Sequence, residues 1–306
     1  MRSTTLPIIL TLVILTLLGG CATKEARQKG LTEQEVYETA QKYLNNNSWQ
    51  SAIQTLQLLE ENFPFGTYGE QAQLELIYAH YKAQNYEELI AVADRFIRLH
   101  PQHRDVDYAF YMRGLASFHR EQGFMGSLFG EDNTTRDPGA ARESFDHFTQ
   151  FIQRFPNSPY APDAQKRMIF LRNALARYEI HIANYYFKRG AFLAAAQRGS
   201  YVVANFQETP AIPDGLATMA QAYYLLGRDE LAEDAVQVLR TNFPNYPALE
   251  DDGSFNQKFY LHSKKRGLFS YLTFGLFSRA ELDGFDTRTL YNPEYDSAEP
   301  EDVQRP

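Results

Sequence analysis

Residues 214–247 read DGLATMAQAYYLLGRDELAEDAVQVLRTNFPNYP. Within this stretch Ala220, Tyr223, Ala232 and Pro244 stand at successive spacings of three, nine and twelve residues. Apolar residues recur at helical spacing on both sides of Leu226-Gly227-Arg228, so two helices flank a tight turn. The small residues fall where two helices must approach closely. The Tyr fills the space beside them, and the Pro ends the second helix. Such a 34-residue helix–turn–helix unit buries its apolar face only by stacking on a neighbour.

The spacing is that of a tetratricopeptide repeat, and the chain holds four more copies. Ala52, Leu89, Ser144, Ala195 and Ala232 are the five equivalents of the small residue on the second helix. Each copy closes on a turn: Asn62-Phe63-Pro64, Leu99-His100-Pro101, Arg154-Phe155-Pro156, Asn205-Phe206-Gln207 and Asn242-Phe243-Pro244. The expected fold is therefore all-α, a superhelical solenoid of five such repeats with a disordered or partly helical C-terminal tail. Repeats 1–3 take residues 33–158 and repeats 4–5 take residues 159–247, with residues 248–306 an extension. Inward positions include Ala40, Tyr43 and Trp49 in the first repeat, and Gly114 serves as the small residue of the third.

The gaps between the five small residues are 37, 55, 51 and 37, so two copies carry insertions of 18 and 14 residues. The first insertion, Glu121–Pro138, holds Gly123, Gly126, Gly130 and Arg136-Asp137-Pro138, and reads as a long loop. The second reads as helix. Ala164, Met168, Leu171, Leu175, Tyr178, Ile182 and Tyr185 keep a 4-3-4-3-4-3 spacing, which predicts one continuous helix from Asp163 to about Lys188. That helix is expected to be the beam joining repeats 1–3 to repeats 4–5.

The chain has 306 residues and a net charge of −8, which disfavours nucleic acid as a partner. Its one cysteine, Cys21, allows no internal disulfide and no thiolate zinc cluster. Arg2 precedes a mainly apolar run, Leu6–Leu18, too short to span a bilayer comfortably. The run ends in Leu18-Gly19-Gly20-Cys21, which resembles a bacterial lipobox. The expectation is a lipoprotein signal peptide over residues 1–20, lipidation of Cys21 and a polar tether over residues 21–32. Several acyl chains on one residue make a durable anchor. Ala22 after the Cys suggests export to the outer membrane, by resemblance to enterobacterial lipoproteins.

After Pro247, residues 249–257 read as an acidic, polar linker. Lys264-Lys265-Arg266 then precedes an aromatic run to Phe277, and residues 291–306 read as disordered. The aromatic run is open to three readings: a cap on the last repeat, a membrane-interface contact, or a partner contact. His100 and His103 flank a closing turn without a third ligand at fixed spacing, so no metal site is expected. No nucleophile, phosphate-loop or dinucleotide motif is present, and neither an enzyme nor a cofactor is expected. Tyr78, Tyr81, Tyr108 and Tyr111 come from first helices of adjacent repeats. They are either core residues or the lining of a groove that clasps an extended, aromatic-bearing peptide.

One family fits the longer segments. Phe63-Pro64-Phe65-Gly66-x-Tyr68, Gln73-Leu74-x-Leu76-Ile77-Tyr78-Ala79 and Asp94-Arg95-Phe96-Ile97-Arg98-Leu99 resemble the BamD family of outer-membrane assembly lipoproteins. So do Asp107-Tyr108-x-x-Tyr111-Met112-Arg113-Gly114-Leu115, Phe129-Gly130 with Arg136-Asp137-Pro138, and Arg189-Gly190-Ala191. The resemblance runs from the lipobox to about Pro247, and nothing carries over to the tail.

It implies a non-enzymatic subunit of the machinery that folds and inserts β-barrel proteins, anchored through Cys21 to outer-membrane lipid and facing the periplasm. The implied partners are BamA, through its last POTRA domain, and BamC where present. Unfolded outer-membrane β-barrel proteins, read through a C-terminal aromatic-containing signal, are the implied substrates. Arg198 matches the family arginine that pairs with an acidic POTRA residue, with Tyr186 assigned to the same BamA contact. Lys is a poor substitute for a bidentate Arg. The N-terminal repeats receive substrate, with Phe65, Tyr68, Tyr78, Tyr81, Tyr108 and Tyr111 as the groove candidates. A second reading of the scaffold is a periplasmic lipoprotein that organises peptidoglycan or cell-division enzymes.

Overall fold

The computed structural model describes residues 30–129, 138–259 and 284–287. The signal peptide, Cys21, most of the tether, the 264–277 run and residues 291–306 lie outside the described residues. Ten α-helices make up the described repeats: α1 (Glu33–Asn45), α2 (Trp49–Asn62), α3 (Gly69–Lys82), α4 (Tyr86–Leu99), α5 (Val106–Phe129), α6 (Gly139–Arg154), α7 (Ala161–Lys188), α8 (Phe192–Asn205), α9 (Ile212–Leu225) and α10 (Asp229–Asn242). They pair as five tetratricopeptide-like hairpins. All five aligned small positions, Ala52, Leu89, Ser144, Ala195 and Ala232, are 0% exposed. Gly114 lies so close to α6 that an added Cβ would meet the Phe148 ring at 2.7 Å.

Four of the five hairpins turn in the same way. Asn47, Gln84, Gly190 and Gly227 adopt φ of 55°, 59°, 69° and 64°. At each, the left-handed residue and its successor return their amides to carbonyls three and five residues back, as in Gly227 to Tyr224 and Arg228 to Tyr223. This left-handed cap satisfies the last carbonyls of the first helix. The third repeat departs from the pattern. There α5 runs on to Phe129, so the first half of the insertion expected as a loop is helix. Glu, Gln, Met and Leu favour helix, and no proline intervenes before Pro138, so the two glycines inside it do not stop it. Residues 130–137 of that insertion lie outside the described residues.

The chain divides into two compact units, one ending at Leu99 and the other starting at His100. The third repeat therefore belongs with the fourth and fifth. The reason is continuous packing: α5 lies on α6, and α6 lies on α7.

In the first unit α1 to α4 pack each on the next. Val36, Ala40, Leu44, Ile53, Leu56, Leu59, Leu76 and Ala79 supply its core. Thr32 opens α1 with a capping box: its amide donates to the Glu35 carboxylate at 2.8 Å, and its hydroxyl accepts the Glu35 amide.

His80, on α3, is 3% exposed, and neither ring nitrogen has a hydrogen-bond partner. Burial lowers its pKa below the usual 6.5, against a smaller opposing pull from Glu88. The unfolded chain then binds a proton that the folded chain resists, so stability falls as pH drops below 6.5. Thermal melts at pH 7.5 and 5.5 should show His80→Leu losing less stability over that interval than the wild type. The slope removed is at most about 1.4 kcal/mol per pH unit.

In the second unit α7 is the long helix the sequence predicts, and it packs on α6, α8 and α9. Its buried stripe differs from the expected seam. Ala164, Leu171 and Leu175 are buried, but Tyr185 is 50% exposed, and Ala176, Ile180, Ala183 and Phe187 take over the core face. A 4-3 spacing repeats every 3.5 residues, whereas a straight helix turns every 3.6. The seam drifts by roughly 60° over three heptads.

The tail also differs from expectation. Leu249 and Phe255 form an antiparallel bridge, and Tyr246, Ala248 and Phe255 are buried, so the polar linker folds back on the last repeats.

Candidate functional site

Glu179 on α7 is the centre of the candidate partner surface. Its carboxylate is 3% exposed and accepts Arg198 Nη1 from α8 at 2.7 Å and Arg142 Nη2 from α6 at 3.5 Å. One buried carboxylate thus ties three successive helices. Arg198 is 38% exposed, so its guanidinium is held on one side and reaches solvent on the other. Hydrogen bonds to Glu179, and secondarily to Tyr186, raise its pKa further. The two residues assigned to one contact, Arg198 and Tyr186, are therefore brought together. Exposed Tyr185 lies edge-on to Tyr186, with ring centroids 6.0 Å apart, and the Arg189 guanidinium sits 5.2 Å from the Tyr185 ring centroid. The chemistry on offer is cationic and aromatic, suited to a carboxylate.

The first unit presents a different feature. Phe65 is 100% exposed on the turn between α2 and α3. That turn is pinned from α1: the Glu33 carboxylate accepts the Tyr68 amide at 2.7 Å. A Cβ on Gly66 would meet the same carboxylate at 2.1 Å, so a larger residue there would push the Glu33 side chain off the turn. Tyr68 stacks on Tyr37 with centroids 4.4 Å apart. Gly66 and Tyr68 thus seat the turn that carries Phe65 out in solvent.

The other four groove candidates do not lie on an open surface. Tyr108 and Tyr111 are each 1% exposed. Tyr111 stacks on Tyr160 at 4.9 Å and donates its hydroxyl to Asp163 at 2.7 Å. Tyr78 packs edge-on to Trp49, and Tyr81 tilts against Tyr86; these two are 9% and 6% exposed. The core reading replaces the groove reading for these four, because their rings fill the space between packed helices. Phe65 and Tyr68 remain as surface candidates. His103 accepts the Asp105 amide at 3.1 Å, a turn contact.

The outer membrane lipoprotein family YfiO matches residues 29–239. Three proteins called outer membrane protein assembly factor BamD are among the relatives. The Neisseria meningitidis serogroup A protein is 40% identical, covering 79% of this chain and 93% of its own. That of Vibrio cholerae is 38% identical, covering 76% and 96%. That of Xylella fastidiosa Temecula1 is 35% identical, covering 80% and 85%.

This chain belongs to the BamD family.

As a BamD-family chain it is an outer-membrane assembly factor with a tetratricopeptide-like fold. No described helix is long and apolar enough to cross a membrane. Sequence reasoning missed one feature of this family member, a buried charge network in the second unit. Arg177 on α7 and Asp214 on α9 are 1% and 0% exposed and form an ion pair. Asp214 also accepts the Tyr246 hydroxyl at 2.7 Å, and Arg177 donates to the Pro210 carbonyl at 2.8 Å. Burial pushes the Asp214 carboxyl up, with the Arg177 charge opposing. The available signal was position: Arg177 stands three residues before buried Ile180 and seven before buried Asn184, on a buried face of α7.

Proposed function

We propose that the protein is a non-enzymatic scaffold, anchored to the outer membrane through acylated Cys21, that couples capture of unfolded β-barrel proteins to BamA. The observation that carries this reading is the family match across 29–239 at up to 40% identity to assembly factors. The second unit supplies the BamA contact through Arg198 and Tyr186, facing an acidic group of the last POTRA domain. The first unit offers exposed Phe65, with Tyr68 behind it, to the aromatic-containing signal of an unfolded barrel strand. BamC, where present, joins the same machinery.

The geometry also decides which variant tests the contact. Arg198→Glu would set a second carboxylate beside Glu179, which is 3% exposed, and would strain the fold itself. Arg198→Gln removes the charge without that repulsion, and Arg142 still pairs with Glu179. Purified Arg198→Gln should bind the BamA POTRA region about tenfold or more weakly, which is about 1.4 kcal/mol. Arg198→Lys should be only partly effective, since the planar fork is lost. Normal BamA binding by a folded Arg198→Gln would remove this residue from the interface.

A further inference from the structure

Within Gly284-Phe285-Asp286-Thr287, the last three residues each contact the second unit, and Gly284 lies close against it. Gly284 adopts φ +94°, and a Cβ there would meet Asn184 Oδ1 at 2.2 Å. The Phe285 amide donates to Asn184 Oδ1 at 3.2 Å. The Phe285 ring, 0% exposed, packs among Phe187, Phe255 and Phe259 with centroids 5.9, 6.3 and 6.0 Å away. Asp286 pairs with Arg177 at 3.3 Å. The Thr287 amide and hydroxyl both donate to Asp214, at 3.3 and 2.6 Å.

We propose that the surface built from α7, α9 and the segment after α10 is a recognition site for a short, bent peptide of glycine–aromatic–carboxylate–hydroxyl type, filled in cis by residues 284–287. Two features mark it as a built receptor. The main-chain amides of Phe285 and Thr287 are read by buried side chains, Asn184 and Asp214. Side-chain identity is read as well, by the aromatic pocket and by the Arg177 cation. The Arg177–Asp214 pair serves both purposes: the guanidinium takes the peptide carboxylate, and the carboxylate takes the next amide and hydroxyl. Asp214 accepts three of its contacts from Arg177, Tyr246 and Thr287, so undocking the peptide leaves a buried carboxylate short of a donor. The site lies on the side of α7 away from Glu179, since Arg177 and Glu179 point about 200° apart on a helix.

The test uses the full chain and a fluorescein-labelled peptide of residues 283–289. Phe285→Ala, which vacates the aromatic pocket, should bind this peptide at least tenfold more tightly than the wild type, whose site is filled. A peptide with Ala in place of the Phe should not bind. Equal, weak binding by wild type and a folded Phe285→Ala would overturn the proposal. Should Phe285→Ala fail to fold, Thr287→Val keeps the ring and loses only the hydroxyl contact with Asp214. It should speed amide hydrogen exchange across residues 177–187, and unchanged exchange would overturn the proposal. A wild-type dimer dissolved by Phe285→Ala in sedimentation would make a second copy the occupant and overturn the cis assignment.

Discussion

Asp214→Ala should lower the stability of the second unit by about 3–5 kcal/mol, more than any surface change in the chain. Asp214 is 0% exposed and is the carboxylate on which Arg177, Tyr246 and Thr287 converge. Its loss takes one carboxylate from a guanidinium that is 1% exposed and removes the acceptor of two hydroxyls. Arg177 keeps Asp286 and the Pro210 carbonyl, which places the expected cost toward the lower end of that range. Total stabilities of about 5–15 kcal/mol make this a large fraction. Urea unfolding followed by circular dichroism measures it. The triple change Arg177→Met, Asp214→Leu and Asp286→Asn should cost less than Asp214→Ala alone, because all three charges of the network are removed together. A single variant within about 0.5 kcal/mol of wild type would show that the network contributes little.

Gly199→Val is the second large effect. Gly199 on α8 faces Gly215 on α9, and a Cβ on Gly199 would stand 2.6 Å from the Gly215 carbonyl oxygen. In the reverse direction a Cβ on Gly215 would meet the Gly199 carbonyl at 3.1 Å. The obstacle is backbone, so the helices must separate along the crossing that also buries Ala195, Ala196, Val202 and Ala217. Overpacking of this kind costs about 1–3 kcal/mol, and a branched side chain against backbone belongs at the upper end. Gly69→Ala supplies the contrast. Its new Cβ would find its nearest neighbours at 3.9 Å, and Ala favours helix over Gly by about 1 kcal/mol. The melting temperature should fall in Gly199→Val and hold or rise in Gly69→Ala.

The repeat was legible because it is written in residue size. Ala52, Leu89, Ser144, Ala195 and Ala232 mark helix crossings, and a crossing admits few side chains. The length of α7 was legible because apolar spacing persists through the insertion. Its buried face was read only in its first half, since a 3.5-residue pattern cannot stay on one side of a straight helix. The buried tyrosines misled for a different reason. Tyr on a first helix can face a partner or the neighbouring helix, and its amphipathic ring suits both. Only the stacking of Tyr111 on Tyr160 and its bond to Asp163 distinguish the two. The Arg177–Asp214–Asp286 network joins residues 37 and 109 positions apart. Pairing at that range leaves no local periodicity, so only the fold reveals it.

On the proposed function, this chain works by holding BamA. Co-purification of the tagged full-length protein from detergent-solubilised envelope tests it most directly. BamA should be the main partner of the wild type, with a marked loss of BamA from Arg198→Gln. A murein synthase or division protein as the main partner, with BamA absent, would contradict it.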